Sequence, residues 1–313
     1  MIDVTKQYES YPEFMKIVDI VSSQNPLQRK RIHAFISRQN RRYWTFAENL
    51  CKNLRYSFLQ NDEEWREAAR SYNQTCKEIL HMQIRFQETG VYPTEDAQTA
   101  NETVYSQENV MRYYIVGLLF SYLFWPNHYK MFSFFQDHLP TNAVATCLEV
   151  GVGHGLFTAE VLQRFPKAAV TCIDISETSL DLARKMLRTF QLNPASIQSI
   201  HGDYLITDLG AAQYDFIIMG EVLEHVDDAP GFLKRAYNLV RPGGTIFVST
   251  CANCPSVDHV YHFHSVEEIR ELIRDANLKI VTDLALPAEA IPEPEWAEKR
   301  VTLNYCGILK REP

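Results

Sequence analysis

The stretch Cys147-Leu-Glu-Val-Gly-Val-Gly-His-Gly-Leu156 decides how the second half of this chain folds. An apolar run from Val144 to Val150 ends in glycines at alternate positions, Gly151, Gly153 and Gly155, and an amphipathic segment follows. This pattern predicts a buried strand, a tight turn and the start of a helix. Glycines in such a turn let the backbone approach a nucleotide-like ligand closely.

Further apolar segments follow at regular spacing. Val170-Thr-Cys-Ile-Asp174 places an acid about twenty residues after the glycines, a position that suits a grip on ribose hydroxyls. Ile197-Gln-Ser-Ile-His-Gly-Asp203 ends in a second acid, which Tyr204 follows. The remaining predicted strands are Tyr214-Asp-Phe-Ile-Ile-Met-Gly-Glu221, which runs into Val-Leu-Glu-His-Val226, and Arg241-Pro-Gly-Gly-Thr-Ile-Phe-Val-Ser-Thr250.

Taken in order, these segments resemble the class I S-adenosylmethionine-dependent methyltransferases over roughly residues 141 to 310. The glycines are spaced GxGxG, whereas dinucleotide-binding folds usually show GxGxxG. The segments GEVLEHV (220–226) and LVRPGG (239–244) are typical of methyltransferases. The resemblance implies an α/β fold, a Rossmann-like, doubly wound, seven-stranded methyltransferase sheet with an all-helical region ahead of it. We therefore expect a helical domain over residues 1–140 and a methyltransferase domain over residues 141–313.

The resemblance also implies S-adenosyl-L-methionine as cofactor and a role for each matching residue. Glu149 and the glycine turn would border its methionine half. Asp174 would hold the ribose hydroxyls, with Ile175 against the adenine, and Asp203 would face the adenine amino group. Glu221 would lie near the methionine amine and the methyl sulfonium. The full set of implied cofactor-binding residues is Glu149, Gly151, Gly153, Gly155, Asp174, Ile175, Asp203, Tyr204, Glu221 and Val222.

Composition favours a cytoplasmic enzyme. The chain has 313 residues, 46% of them hydrophobic, enough for two packed units or one decorated domain. Its formal net charge of −8 is unfavourable for a nucleic-acid partner. Seven cysteines scattered along the chain indicate reduced, intracellular usage, and no secretory signal is visible at the N-terminus. The most apolar run, from Tyr113 to Trp125, is too short to span a bilayer.

Residues before about 140 are predicted to be helical. The pattern predicts helices over 27–59 and 63–87, a connecting loop over 90–100, an aromatic-rich helix that Pro126 ends, and a short helix over 127–138. We expect this region to form a lid that encloses a small-molecule acceptor and excludes water. A competing account makes it a homodimerisation element. Its predicted acceptor-binding residues have polar tips and are Tyr105, Tyr113, Asn127 and His128.

The loop after the fifth strand is the second predicted contributor to chemistry. Ligands of doubly wound sheets sit beyond the carboxyl ends of the strands, so this loop is expected to overhang the transferred methyl group. We predict His259 as the catalytic base, because a histidine with a pKa near neutrality suits proton removal. Asp258 or Tyr261 would orient the base or the substrate.

The same loop has the residue types of a zinc site, Cys251-x-x-Cys254 followed by His259, His262 and His264. Its spacing is compact, and Cys251 belongs to a strand end. Zinc knuckles usually place the CxxC in a free turn, with a second ligand pair some distance away. We therefore expect no metal.

Function at this point has open alternatives. The first is methyl transfer to an oxygen, nitrogen or activated carbon of a small acceptor, in secondary metabolism. The second is methylation of a carrier-tethered or protein acceptor. The third is a non-catalytic, cofactor-binding interaction protein, against which the intact cofactor residues count.

Overall fold

The computed structural model describes residues 9–211 and 213–311. Its first part is a helical region over residues 12–137. The helices are α1 (Pro12–Gln24), α2 (Pro26–Ile36), α3 (Arg41–Ser57), α4 (Asp62–Thr89), α5 (Ala97–Ala100), which continues into a π-helical turn (Asn101–Tyr105), α6 (Glu108–Phe124) and α7 (Pro126–Asp137).

Local capping explains most of these boundaries. The Asn61 side chain accepts from the first backbone N–H groups of α4, and Gly90 ends that helix in the left-handed conformation. Pro126 ends α6 and begins α7, as predicted. The single helix predicted over 27–59 is wrong, because Asn40 caps a new helix at Arg41. The loop predicted over 90–100 contains α5 at its end.

The second part is a seven-stranded sheet, as the sequence predicts. Its strands are β1 (Thr146–Val150), β2 (Ala169–Asp174), β3 (Ile197–His201), β4 (Tyr214–Gly220), β5 (Val240–Ala252), β6 (Leu278–Pro287) and β7 (Leu303–Arg311). The intervening helices are α8 (Leu156–Arg164), α9 (Glu177–Thr189), α10 (Ala229–Leu239) and α11 (Val266–Asp275). The strand order is β3-β2-β1-β4-β5-β7-β6; β7 pairs antiparallel with β5 and with β6, and the other neighbouring strands pair parallel. The order reverses between β1 and β4, which opens a crevice at their carboxyl ends.

The helical region and the sheet share one hydrophobic core. A single cluster of buried side chains extends from Phe14 in α1 to Ile308 in β7. Phe135 of α7 is fully buried, and its ring packs against those of Phe157, Phe216 and Phe247. Packing therefore continues across residue 140, where the sequence suggests a domain boundary. Among the described residues, no helix is both long and apolar enough to cross a membrane.

Candidate active site

A cavity of about 390 Å³ lies at the carboxyl ends of the parallel strands, under α6. One end of it is lined by the turn after β1 and the end of β2, and we call it the glycine end. The other is lined by the segments that follow β4 and β5, and we call it the Asp258 end. Apolar side chains of α6 close it from above, namely Met111, Tyr114, Ile115, Leu118 and Tyr122.

The three glycines of the turn perform different tasks. All have φ between 48° and 76°, the left-handed region that glycine adopts without strain. Gly151 packs against Val222, and at Gly153 an added Cβ would meet only the open space of the cavity. Gly155 does not line the cavity, because it begins α8 and packs against Ala183 of α9.

Two acidic side chains are buried at the glycine end, and among the described residues no lysine or arginine lines the cavity. Glu149 is 1% exposed and accepts a hydrogen bond from the Thr158 hydroxyl. Burial raises the pKa of Glu149 to about 8. Asp174 accepts from the backbone N–H of Ser176 at 2.8 Å and of Gly153 at 3.4 Å, yet desolvation still raises its pKa to about 6. Cationic or hydrogen-bond-donating ligand groups would satisfy both side chains.

The part of the glycine end that Ile175 lines suits a planar ring. Ile175 is 48% exposed although it is a large apolar residue, and it lines the cavity together with Asp203 and Tyr204. Burial raises the pKa of Tyr204, whose hydroxyl has no hydrogen-bond partner within the described residues. Glu221 and Val222, after β4, line the middle of the cavity, and Glu221 Oε1 also lacks a partner there.

A hydrogen-bonded cluster forms the Asp258 end. Asp258 is fully buried and accepts from Tyr114 Oη at 2.9 Å, Ser256 Oγ at 2.9 Å and Tyr105 Oη at 3.2 Å. His225 Nδ1 lies 3.3 Å from Asp258 Oδ2. Burial alone would raise the pKa of Asp258, but the neighbouring imidazoles of His225 and His259 and the hydrogen bonds outweigh it, so this pKa is lowered. Asp258 is therefore a carboxylate at neutral pH.

His259 lies beside this cluster with an altered acidity. Burial, and then the nearby His225, lower the pKa of His259 to about 4. The predicted pKa near neutrality is therefore wrong, because the sequence pattern does not reveal how deeply the loop is covered. At neutral pH His259 is an uncharged imidazole, a weak base but a good metal ligand.

The structure places some predicted residues away from the cavity. Tyr113 points to the other face of α6, where its hydroxyl donates to Glu78. Asn127 donates to the β6–β7 hairpin at Leu286 O and Asn304 Oδ1, which ties the helical region to the sheet. Tyr261 packs against Phe263 outside the lining. By contrast, Tyr105 and His128 line the cavity, and burial lowers the pKa of His128 to about 4.

Three residues of the Asp258 end escaped sequence reasoning. Tyr114 lines the cavity, as was predicted for Tyr113. Because α6 is apolar on nearly all of its faces, the helix sequence does not reveal which face points toward the cavity. Glu224 and His225 lie in a short 3₁₀ turn (Leu223–His225), and from the sequence we predicted no catalytic or binding role for either. The sequence did contain a sign of them, since three polar residues lie close together in Glu221-Val-Leu-Glu-His225 directly after a predicted strand. All three line the cavity.

The fold and this cavity define an enzyme of the Rossmann-like class that binds a nucleoside cofactor. Residues 148–246 match a family model described as a methyltransferase domain. The chain is 31% identical over 188 residues to the ubiquinone biosynthesis O-methyltransferase of Pseudomonas paraeruginosa, covering 53% of this chain and 78% of that protein. It is 29% identical over 142 residues to the malonyl-[acyl-carrier protein] O-methyltransferase of Priestia megaterium, covering 41% and 49%.

A solved structure shares the fold. Haemonchus contortus phosphoethanolamine N-methyltransferase 2, in complex with phosphomonomethylethanolamine and S-adenosylhomocysteine, aligns with a TM-score of 0.53 at 11% identity, covering 71% of this chain and 62% of that chain. This chain belongs to the class I S-adenosylmethionine-dependent methyltransferases. It is an enzyme, and S-adenosylmethionine is its cofactor.

Proposed function

We propose that the protein methylates a hydroxyl oxygen of a small, largely apolar acceptor. The observation that carries this proposal is one continuous cavity, with the glycine turn at one end and the Asp258 cluster at the other. A cofactor bound at the glycine end and an acceptor bound at the Asp258 end would share one space closed by α6. Such enclosure aligns the two reactants and excludes water.

The residues of the glycine end fit S-adenosylmethionine, which supplies a methyl group on a positively charged sulfonium. Asp174 offers both carboxylate oxygens to ribose hydroxyls, and Ile175 offers an apolar surface to adenine. Glu149 lines the cavity beside the region proposed for the methionine half, and an ammonium group there would favour its ionised form and pair with it. The unpartnered Glu221 Oε1 adds negative charge between the two ends of the cavity.

The Asp258 end supports an oxygen acceptor. A hydroxyl must lose its proton around the time of transfer, so it needs polar partners that orient it and take part in proton removal. Asp258, His225 and Tyr105 supply such partners, while the apolar face of α6 accommodates a hydrocarbon or aromatic body. The O-methyltransferase names of two relatives agree with this choice.

Residues 1–140 are proposed as a unit that covers the acceptor, with residues 141–313 as the unit that binds the cofactor. Tyr105, Met111 and Tyr114 reach the cavity from the covering unit. Homodimerisation through the helices stays a prediction, which light scattering of the purified protein would test.

A labelled-methyl assay tests the proposal. The protein is incubated with S-[methyl-³H]adenosylmethionine and 3,4-dihydroxybenzoate, a panel of other phenols, the matching anilines, and the same acids as pantetheine thioesters. We expect transfer to free hydroxyls, with His259→Ala lowering turnover while calorimetry shows unchanged S-adenosylhomocysteine binding. Transfer only to the anilines, or only to the thioesters, would contradict the proposed acceptor class.

A further inference from the structure

We propose that Glu224, His225 and His259 bind a divalent metal ion at the Asp258 end of the cavity. The ligand atoms of these three side chains lie within 4.8 Å of one another. A carboxylate and two imidazoles form a ligand set that suits Mn²⁺, Fe²⁺ or Zn²⁺. The ion's role in methyl transfer rests on the proposed function, but its binding does not.

Backbone hydrogen bonds hold the three ligands together. Glu224 and His225 follow β4, whereas His259 belongs to the loop after β5. The Glu224 carbonyl accepts from the N–H of Val260 at 2.8 Å and of Tyr261 at 3.0 Å, which fastens one segment to the other. The convergence is therefore built into the backbone and does not depend on free side-chain rotation.

Both histidines are oriented in the way that metal-ligating histidines usually are. His225 Nδ1 lies 2.9 Å from the Tyr105 hydroxyl, which also reaches Asp258 Oδ2, and it faces the Asp258 backbone carbonyl at 3.1 Å and Asp258 Oδ2 at 3.3 Å. His259 Nδ1 faces the Cys254 carbonyl at 2.5 Å. Oxygen acceptors at these distances place the hydrogen on Nδ1 and leave the Nε2 lone pair of each ring available.

Charge supports a cation at this place. Glu224 is 1% exposed, and its Oε2 accepts from Thr250 Oγ1 at 2.7 Å. Glu221, whose Oε1 has no hydrogen-bond partner within the described residues, lines the cavity beside it. Among the described residues that line the cavity there is no lysine or arginine. A divalent ion would neutralise charge that no side chain neutralises.

A thiolate zinc site competes for His259. The ligand atoms of Cys251, Cys254 and His259 also lie within 4.8 Å of one another. However, the atom of His259 that lies 3.7 Å from Cys251 Sγ is Nδ1, which is engaged with the Cys254 carbonyl. The carboxylate–imidazole set is therefore favoured.

A metal ion here would activate the acceptor. An acceptor hydroxyl bound to it would become more acidic and would pass its proton to the Asp258 carboxylate, which lines the same end of the cavity. The resulting oxygen anion attacks the methyl carbon, the carbon–sulfur bond breaks, and its electron pair stays on sulfur, which yields S-adenosylhomocysteine and the methyl ether. This assigns proton removal to metal activation and leaves His259 as a ligand.

The test measures Mn²⁺ binding to the full-length protein after dialysis against EDTA, by calorimetry and by the electron paramagnetic resonance signal of free Mn²⁺. We expect one Mn²⁺ per chain, and at least tenfold weaker binding in Glu224→Gln, His225→Asn and His259→Gln. His262→Gln is the matched control from the same loop, because its Nε2 bonds Asn253 Oδ1 at 2.9 Å. Its affinity for Mn²⁺ should equal that of the wild type.

Titration with S-adenosylhomocysteine in every variant separates the possible failures. Intact S-adenosylhomocysteine binding with no Mn²⁺ binding by the wild type, and no Zn²⁺ binding in a parallel titration, would overturn the metal site and leave the proposed function standing. Zn²⁺ binding that Cys251→Ser abolishes and Glu224→Gln spares would also overturn this ligand set. Intact metal binding without methyl transfer to any hydroxyl would count against the proposed function alone.

Discussion

The glycine end and the Asp258 end of the cavity are assembled differently. The glycine end comes mainly from two consecutive strands, β1 and β2, and the turns directly after them. The Asp258 end combines Tyr105 and Tyr114 from the helical region, His225 from the segment after β4, and Asp258 from the loop after β5. The proposed cofactor site is thus built largely from neighbouring segments of the chain, whereas the proposed acceptor chamber exists only after distant segments have packed together.

The largest expected effect tests whether the helical region, which supplies part of the Asp258 end, can unfold separately from the sheet. Phe135→Ala should destabilise the whole protein by about 3–5 kcal/mol, because it empties a fully buried site shared by α7 and the sheet. Denaturant unfolding followed by tryptophan fluorescence and by circular dichroism should give one shifted transition. Leu80→Ala, at a side chain that is 55% exposed, is the control and should change little. Separate transitions, with S-adenosylhomocysteine binding retained after the first, would mean that the helical region is a detachable lid.

A second change should affect the glycine end alone. Asp174→Ala removes the carboxylate proposed to accept from two ribose hydroxyls, so S-adenosylhomocysteine binding should weaken about 100-fold, or about 3 kcal/mol. Calorimetry measures the affinity, and Asp181→Ala on the exposed face of α9 is the control. Unchanged affinity in Asp174→Ala would show that the site residues are wrongly mapped.

The third prediction uses pH at the glycine end. Burial raises the pKa of Glu149 to about 8, so the folded protein keeps a proton that the unfolded chain releases above about 4.5. Stability of the cofactor-free protein therefore falls as pH rises through this window, by up to about 1.4 kcal/mol per pH unit. Buried histidines, whose pKa values are lowered, make stability rise with pH only up to about 6.5. Between pH 6.5 and 8 they therefore do not offset this decrease in stability.

Glu149→Gln should remove the contribution of Glu149 to this pH dependence of the free energy of unfolding. Urea unfolding of the wild type and the variant at several pH values would measure it. Glu221 and Glu224 act with the same sign, so the difference between wild type and variant isolates Glu149. Parallel curves for the two proteins would show that Glu149 is already ionised in the folded state.

The smallest expected effect sharpens the assignment at the Asp258 end. Tyr114→Phe removes a 2.9 Å hydrogen bond to Asp258 and should lower kcat/KM about tenfold, or about 1.4 kcal/mol. Tyr113→Phe, one residue away on the other face of α6, is the matched control and should leave kcat/KM within about twofold. Equal effects of the two changes would remove the distinction between the faces of α6.

The sequence was informative where function depends on neighbouring residues. The strand, glycine turn and helix around residues 147–156 form as predicted, and Asp174 stands at the end of β2. Each depends on short-range rules, such as the apolar run of a buried parallel strand or the conformational freedom of glycine. The division of residues 27–57 into two helices was missed. The helical pattern of the sequence continues through this segment, and a single asparagine, Asn40, does not by itself reveal that it caps a new helix.

Alone, the sequence determined the class of fold and the cofactor, because these features depend on local backbone geometry. Only the tertiary structure decided that Tyr114 and not Tyr113 faces the cavity, and that His259 is uncharged at neutral pH. It also brought Glu224, His225 and His259 within reach of one ion. Helix rotation, desolvation and ligand convergence depend on packing between segments far apart in the chain, which no local pattern encodes.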